Sequence, residues 1–230
     1  MNKEFFDVIK RGYLEVVQRL LSSNPDLIYE KENGLSPVMV ALYHREPKIV
    51  NYLAEKTGSL NIFEASALGR TTQVVRHLAR DPMLVNAYTD DGFQPLGLAC
   101  FFGHAETAEY LIKAGASINS PSRNQLRATP IQSAAAAGHV EIVLLLLKNR
   151  ADPNVREQGG YTPLHAAAQN GDVAIIRSLL FNGADLTIRS REGKLPIDMA
   201  VESGHVDAAK LLKEGITRRF RTKITLQRTE

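Results

Sequence analysis

The residues of this chain that could do chemistry are few, and their spacing favours structure over reaction. Six histidines are present, enough for a metal site if they came with thiolates or carboxylates at ligand intervals. They do not. His44 and His77 stand without cysteine or a close histidine–carboxylate pair suited to zinc, and His104, His139 and His205 each follow a glycine at a regular interval. The single cysteine, Cys100, lies in the run Leu98-Ala99-Cys100, where a small buried side chain is expected in place of an activated nucleophile. The pair Gly159-Gly160 lacks both a following Gly-Lys-Ser/Thr and a Gly-x-Gly-x-x-Gly frame, so its glycines are expected to make a turn. No metal, no cofactor and no catalytic residue follow from these residues, and the chain reads as a non-enzyme.

The elements that carry these residues repeat. A glycine separates an alanine-rich segment from an Ile/Val/Leu-rich one at Gly12, Gly69, Gly103, Gly138, Gly171 and Gly204, and from Gly69 onward the intervals are 34, 35, 33 and 33 residues. The 57 residues between Gly12 and Gly69 divide at Arg45 into 33 and 24, which fits a unit of about 33 residues with one short member. A second marker is a proline opening each first helix, where its missing N–H costs nothing and its φ is already helical. It falls at Pro37, Pro95, Pro130, Pro163 and Pro196 and is absent at Ile62-Phe63-Glu64, in the short unit.

The clearest unit reads Gly160-Tyr161-Thr162-Pro163-Leu164-His165-Ala166-Ala167-Ala168-Gln169-Asn170-Gly171-Asp172, then Ile175-Ile176-Arg177-Ser178-Leu179-Leu180, then Asn182-Gly183-Ala184-Asp185. It resembles an ankyrin repeat, and the resemblance covers roughly residues 3 to 215. The implied fold is all-α: an ankyrin-repeat solenoid of about seven helix-turn-helix units joined by short β-hairpin-like connections. Units are expected near 1–29, 30–61, 62–89, 90–128, 129–158, 159–190 and 191–215, with a basic tail at 216–230. No unit can bury its apolar face alone, so stability comes from the interfaces between neighbours, with polar residues closing both ends. Ser36-Pro37, Gln94-Pro95 and Leu195-Pro196 depart from the family's Thr-Pro, and only His165 keeps its histidine. The resemblance implies that His165 braces the turn by bonding backbone and the threonine hydroxyl. Two extra residues before Thr129 predict a protruding hairpin over 119–128.

The same resemblance implies a partner bound on the concave surface of hairpin tips and exposed first-helix positions. Carried over residue by residue, these include Tyr43, Tyr88, Phe93, Phe101 and Phe102 in the first half and Arg156, Tyr161, Arg189, Arg191 and Lys194 in the second. The series passes from acidic and aromatic to basic, and aromatics with arginines are the residue types that dominate binding hot spots. Another protein with an apolar or acidic anchor segment is the expected partner. Two alternatives stay open: Phe101 or Phe102 packs into the space left by the short unit, and the later arginines are solvated charge.

Composition bounds the remaining readings. At 44% hydrophobic residues the chain can bury a sizeable core. The net charge of +3 is uneven: residues 213–230 hold six basic residues against two acidic, leaving the remainder slightly acidic. The basic character therefore belongs to a tail, and it does not license nucleic-acid binding by the whole surface. In that tail Ile216, Phe220, Ile224 and Leu226 fall loosely on one side of an extended chain, read as a flexible cap, a docking strand or an anionic-surface binder. The lone cysteine favours a reducing, cytoplasmic setting. The N-terminus turns charged too soon for a signal peptide, and no apolar run could span a bilayer. The sequence thus points to a protein-binding scaffold or adaptor, monomeric alone. The competing class is a binder of anionic surfaces, nucleic acid or membrane, through the basic hairpins and tail.

Overall fold

The computed structural model describes the backbone of residues 2–227 and the side chains of residues 3–217. Within it the chain forms seven consecutive helix pairs: α1 (Asn2–Lys10) with α2 (Leu14–Ser23), α3 (Pro37–Tyr43) with α4 (Pro47–Lys56), α5 (Ile62–Ala67) with α6 (Thr71–Arg80), α7 (Pro95–Phe102) with α8 (Ala105–Lys113), α9 (Pro130–Ala137) with α10 (Val140–Lys148), α11 (Pro163–Asn170) with α12 (Val173–Phe181), and α13 (Pro196–Glu202) with α14 (Val206–Gln227). Short 3-10 turns at Pro25–Tyr29 and Pro82–Asn86 follow α2 and α6. Among the described residues there is no strand, only an isolated bridge between Glu32 and Leu35. No helix among them is long and apolar enough to cross a membrane.

Local chemistry sets the helix ends. Prolines occupy the first turn of α3, α7, α9, α11 and α13, and Gly103, Gly138 and Gly171 end α7, α9 and α11 in the left-handed conformation at φ 86, 78 and 71°. α5 starts without proline on a capping box instead: the Asn61 carboxamide oxygen accepts from the N–H groups of Phe63 and Glu64, and the Glu64 carboxylate accepts from the Asn61 N–H.

Three arginines stand where the other units use glycine. Arg45, at φ 59°, takes the turn between α3 and α4; Arg127, at φ 54°, takes the position three before the proline held elsewhere by Gly34, Gly92, Gly160 and Gly193; Arg150, at φ 66°, matches Gly115 and Gly183. Each costs about 1 kcal/mol of backbone strain that glycine would avoid.

First helices stack on first helices, α5 on α7, α7 on α9, α9 on α11 and α11 on α13, while second helices form the outer layer. The small buried residues Ala65, Ala99, Ala134, Ala135, Ala167, Ala168 and Ala200 let the inner helices approach, and Val74, Leu111, Ile142, Val143, Leu146, Ile175, Ile176, Leu179 and Leu212 fill the layer behind them. The main apolar core runs from Phe5 to Leu212.

The third pair is the irregular one. Only residues 57–61 join α4 to α5, so this unit brings no hairpin. The flanking hairpins close the gap: Lys31 Nζ lies 3.1 Å from an Asp90 carboxylate oxygen, and the Tyr43 hydroxyl donates to Asp91 at 3.0 Å.

Two expectations are corrected here. The backbone of 216–227 continues α14 as helix, not as an extended chain; the side chains from Arg218 onward, and Arg228 altogether, lie outside the described residues. The 119–128 segment does not stand clear of the stack. It is tied inside by Ser122 N–H to the Ala128 carbonyl, on one side by Arg123 N–H to Gly92, and on the other by Gln158 N–H to Leu126.

Candidate functional site

The connections are held to one another before they can present anything. Arg123, Gln158 and Arg191 each donate a backbone N–H to the preceding hairpin, at the carbonyls of Gly92, Leu126 and Gly159, over 2.8–2.9 Å. Asparagines do the same one step further out: the amide oxygens of Asn86, Asn119 and Asn154 accept from the N–H groups of Ser117, Asp152 and Asp185. On the opposite rim, His104 Nε2 bonds the Ala67 carbonyl at 2.9 Å and His139 Nε2 the Phe101 carbonyl at 3.0 Å, each ring crossing to the previous unit. Burial holds His104 below the ordinary histidine range, as it must to keep a ring N that is half-enclosed uncharged. These histidines are struts, and no group of three or more His, Cys, Asp or Glu is arranged to hold a metal among the described residues.

Residues at the third helical position of α11, α9, α5 and α13 brace the turns. His165 Nδ1 accepts from the Thr162 N–H at 3.1 Å and lies 2.9 Å from its hydroxyl, while Nε2 lies 3.1 Å from the Lys194 carbonyl. Because the Thr162 N–H can only donate, the Nδ1 must be the acceptor and Nε2 the proton-bearing nitrogen. Gln132 does the same in α9, with Oε1 on Thr129 and Nε2 on the Tyr161 carbonyl. Glu64 and Asp198 take the role at Asn61 and Leu195.

On this frame the ten residues expected at the interface separate into groups. Phe93, Phe101 and Tyr161 line one groove of about 680 Å3 between the hairpins and the faces of α9 and α11, with Leu126, Ala136, Ala166 and the uncharged Gln125, Gln158 and Gln169. A neighbouring cavity of about 710 Å3, over the short unit, is lined by Tyr43, Phe101 and Phe102 with Leu42, Val50 and Arg45. Phe101 belongs to both and is 41% exposed, so it forms the ridge between them.

Most of the expected residues are also engaged within the frame. Phe102, Phe93 and Tyr43 pack on a small second core of Met39, Ala67 and Leu98, and Phe102 meets Tyr43 and Phe101 at ring distances of 5.6 and 5.0 Å. Burial and the nearby Asp91 carboxylate push the Tyr43 phenol far above its ordinary range, so it remains a hydrogen donor. Tyr88 lies under the Arg123 guanidinium at 3.9 Å, with its hydroxyl on the Pro121 carbonyl; it braces two hairpins. Arg189 donates to the Gly193 carbonyl, Arg156 to the Arg189 carbonyl, and Lys194 pairs with Glu202 at 2.6 Å. The basic gradient is thus spent largely inside the hairpins. Arg156 and Arg191 line a different cavity from the groove. Leu126, 59% exposed at the rim, was missed by the sequence reading; its signal was an apolar residue between Gln125 and Arg127 in an otherwise polar loop.

Stacked helix pairs with tied connections and a groove over the first helices define a helical-repeat solenoid. The ankyrin repeats family, as a three-copy pattern, matches residues 62–157 and again residues 131–219, and the chain belongs to the ankyrin-repeat family. It is similar to the target of rapamycin complex 2 subunit AVO2 of Saccharomyces cerevisiae, 29% identical over 171 residues, 67% of this chain and 40% of that protein. It is also similar to the ankyrin repeat and KH domain-containing protein mask of Drosophila melanogaster, 43% identical over 68 residues, 30% of this chain and 2% of that one. An ankyrin repeat and KH domain-containing protein of Caenorhabditis briggsae is 32% identical over 147 residues, covering 60% of this chain and 6% of that protein. The chain spans two-fifths or less of each of these relatives.

Proposed function

We propose that this chain is a non-catalytic scaffold or adaptor that holds an apolar segment of another protein in the groove beside Phe101. The observation that carries the reading is the 680 Å3 groove itself: its exposed aromatic and leucine sit among glutamines and alanines, and the two titratable side chains in its wall are held by the frame, Glu157 by the Tyr161 N–H and His165 by Thr162 and the Lys194 carbonyl. A rigid first-helix floor and tied hairpins pre-organise it, which lowers the ordering cost of binding. The yeast relative is named as a subunit of a complex, and that supports a role in joining proteins. We place the protein in a reducing, cytoplasmic setting, as a monomer when alone, acting on neither nucleic acid nor membrane.

Selection of peptides from a displayed random library on the purified chain tests the groove. Selected peptides carry an apolar anchor, and Phe101→Ala or Leu126→Ala weakens them by about 2 kcal/mol or more, the size of a hot-spot loss. Peptides unaffected by both substitutions sink the placement. Ionic strength separates the competing anionic-surface reading: binding through phosphate neutralisation weakens steeply with salt, whereas an apolar anchor is far less sensitive.

A further inference from the structure

Beside the groove lies a second cavity of different chemistry. Leu126, Ala128, Gly159 and Tyr161 line the groove, whereas Arg127, Thr129 and Gly160 line a cavity of about 490 Å3 with Asn119, Arg156 and Arg191, and Glu157 and Gln158 belong to the walls of both. The two cavities are therefore neighbours that share the wall formed by Glu157 and Gln158. Three arginines from three successive connections line this second cavity, and none of them lines the groove.

Several features focus that charge. A methyl group at Gly160 would meet Arg156 Nη2 at 2.8 Å and Arg191 Cγ at 3.3 Å, so the absence of a side chain there lets two arginines close on one point. Arg156 spends a single N–H on the Arg189 carbonyl. None of the three arginines is in an ion pair among the described residues. The Glu157 carboxylate in the cavity wall is turned to accept the Tyr161 N–H at 3.1 Å. Arg127 holds its place in a left-handed backbone where every other hairpin has glycine. Like charges brought to one cavity repel, and an anion that bridges them reverses the sign of that interaction.

We propose that this cavity is a binding site for a phosphomonoester carried on a protein side chain, a phosphoserine or phosphothreonine. Guanidinium groups present planar forks of donors that match the three acceptor oxygens of a phosphate dianion. Arg156 and Arg191 converge at Gly160, all three arginines line one cavity, and no aromatic ring lines it to stack a base; these features favour a single phosphorylated side chain over a nucleic-acid backbone.

The test uses the intact chain and an array of random-sequence peptides, each synthesised with and without phosphate on its central serine or threonine. Single-stranded RNA and vesicles bearing phosphoinositide serve as further probes, and inorganic phosphate as competitor. The expected result is selective retention of phosphorylated peptides, competed by phosphate, and weakened by about tenfold in Arg127→Gly and in Arg191→Gln, as loss of one charge-assisted hydrogen bond requires. Arg127→Gly places glycine where the other hairpins have it, so its thermal midpoint does not fall and weakened binding cannot be blamed on unfolding. Equal retention of phosphorylated and unmodified peptides overturns the proposal. So does a phosphate preference that survives both substitutions, or tighter arginine-dependent binding of RNA or vesicles than of any phosphopeptide.

Discussion

Replacing His165 tests the idea that the side chain at the third position of α11 fastens the hairpins to the first helix. His165 is 1% exposed. Its removal in His165→Ala leaves the Thr162 N–H without its acceptor, while the Lys194 carbonyl keeps the Ser190 N–H at 2.9 Å. One orphaned buried donor costs about 1–3 kcal/mol, and the void left by the ring adds to it, giving a loss of about 2–4 kcal/mol. His165→Gln should cost under about 1 kcal/mol, because Gln132 already fulfils this role toward Thr129 and Tyr161 one unit earlier. Burial holds the His165 imidazole below the ordinary histidine value, with the Lys194 carbonyl opposing. As pH falls the unfolded chain therefore takes up the proton first. Stability from this group is complete above about pH 6.5 and declines as pH drops through the interval below it, down to the folded value. Urea unfolding followed by circular dichroism at about pH 7.5 and 5.5 measures both effects, and the glutamine variant should show a shallower decline than the parent. Hydrogen exchange should locate the lost protection around α11 to α13. An alanine variant as stable as the parent, or a glutamine variant as weak as alanine, refutes the bracing argument.

Three further outcomes follow from single contacts. Arg45→Gly should raise stability by about 1 kcal/mol, since the arginine holds φ 59° at a turn where the neighbouring units use glycine; a fall in the urea midpoint contradicts this. Tyr43→Phe should cost about 1–2 kcal/mol, because Asp91 Oδ1 is already buried without a partner and Oδ2 would lose the tyrosine hydroxyl; an unchanged midpoint means that water replaces the bond. Cys100, fully buried with its thiol pushed above the ordinary range by that burial, should resist maleimide in native buffer and react at once in urea, and fast native labelling would show that α7 opens readily.

The helix pairs were legible in the sequence because their boundaries depend on local requirements. A first-turn proline and a left-handed glycine act within a few residues, so their spacing exposes the repeat wherever both are kept. The exposure of each aromatic was not legible, because partners across the stack decide it. Tyr43 finds Asp91 forty-eight positions away, and Tyr88 is covered by Arg123 from the next connection. Of the expected interface, Phe101 and Tyr161 remain available in the groove, whereas Arg189 and Lys194 are engaged in their own hairpin and helix. The tail failed for a different reason: Ile216, Phe220 and Ile224 are four apart, a spacing that fits one face of a helix as well as one side of an extended chain. Continuity with α14 decides in favour of helix.

The short third unit explains why the groove lies where it does. A full unit would insert a hairpin between those at 30–36 and 87–94 and keep them apart. With only residues 57–61 in its place, Asp90 abuts Gly34 and Lys31, and Tyr43 reaches Asp91. The aromatic side chains on that stretch then fill the space a hairpin would have covered, as Phe93 and Phe102 do around Met39, Ala67 and Leu98. Phe101 is one helical step before Phe102, about 100° around α7, and cannot join that cluster without unwinding the helix. It is left facing the concave side. The deletion that closes one part of the surface therefore leaves an exposed aromatic at its edge, beside regular units whose alanines and glutamines form a flat wall. On the proposed function, this boundary between irregular and regular repeats is where a partner's apolar side chain would make its deepest contact.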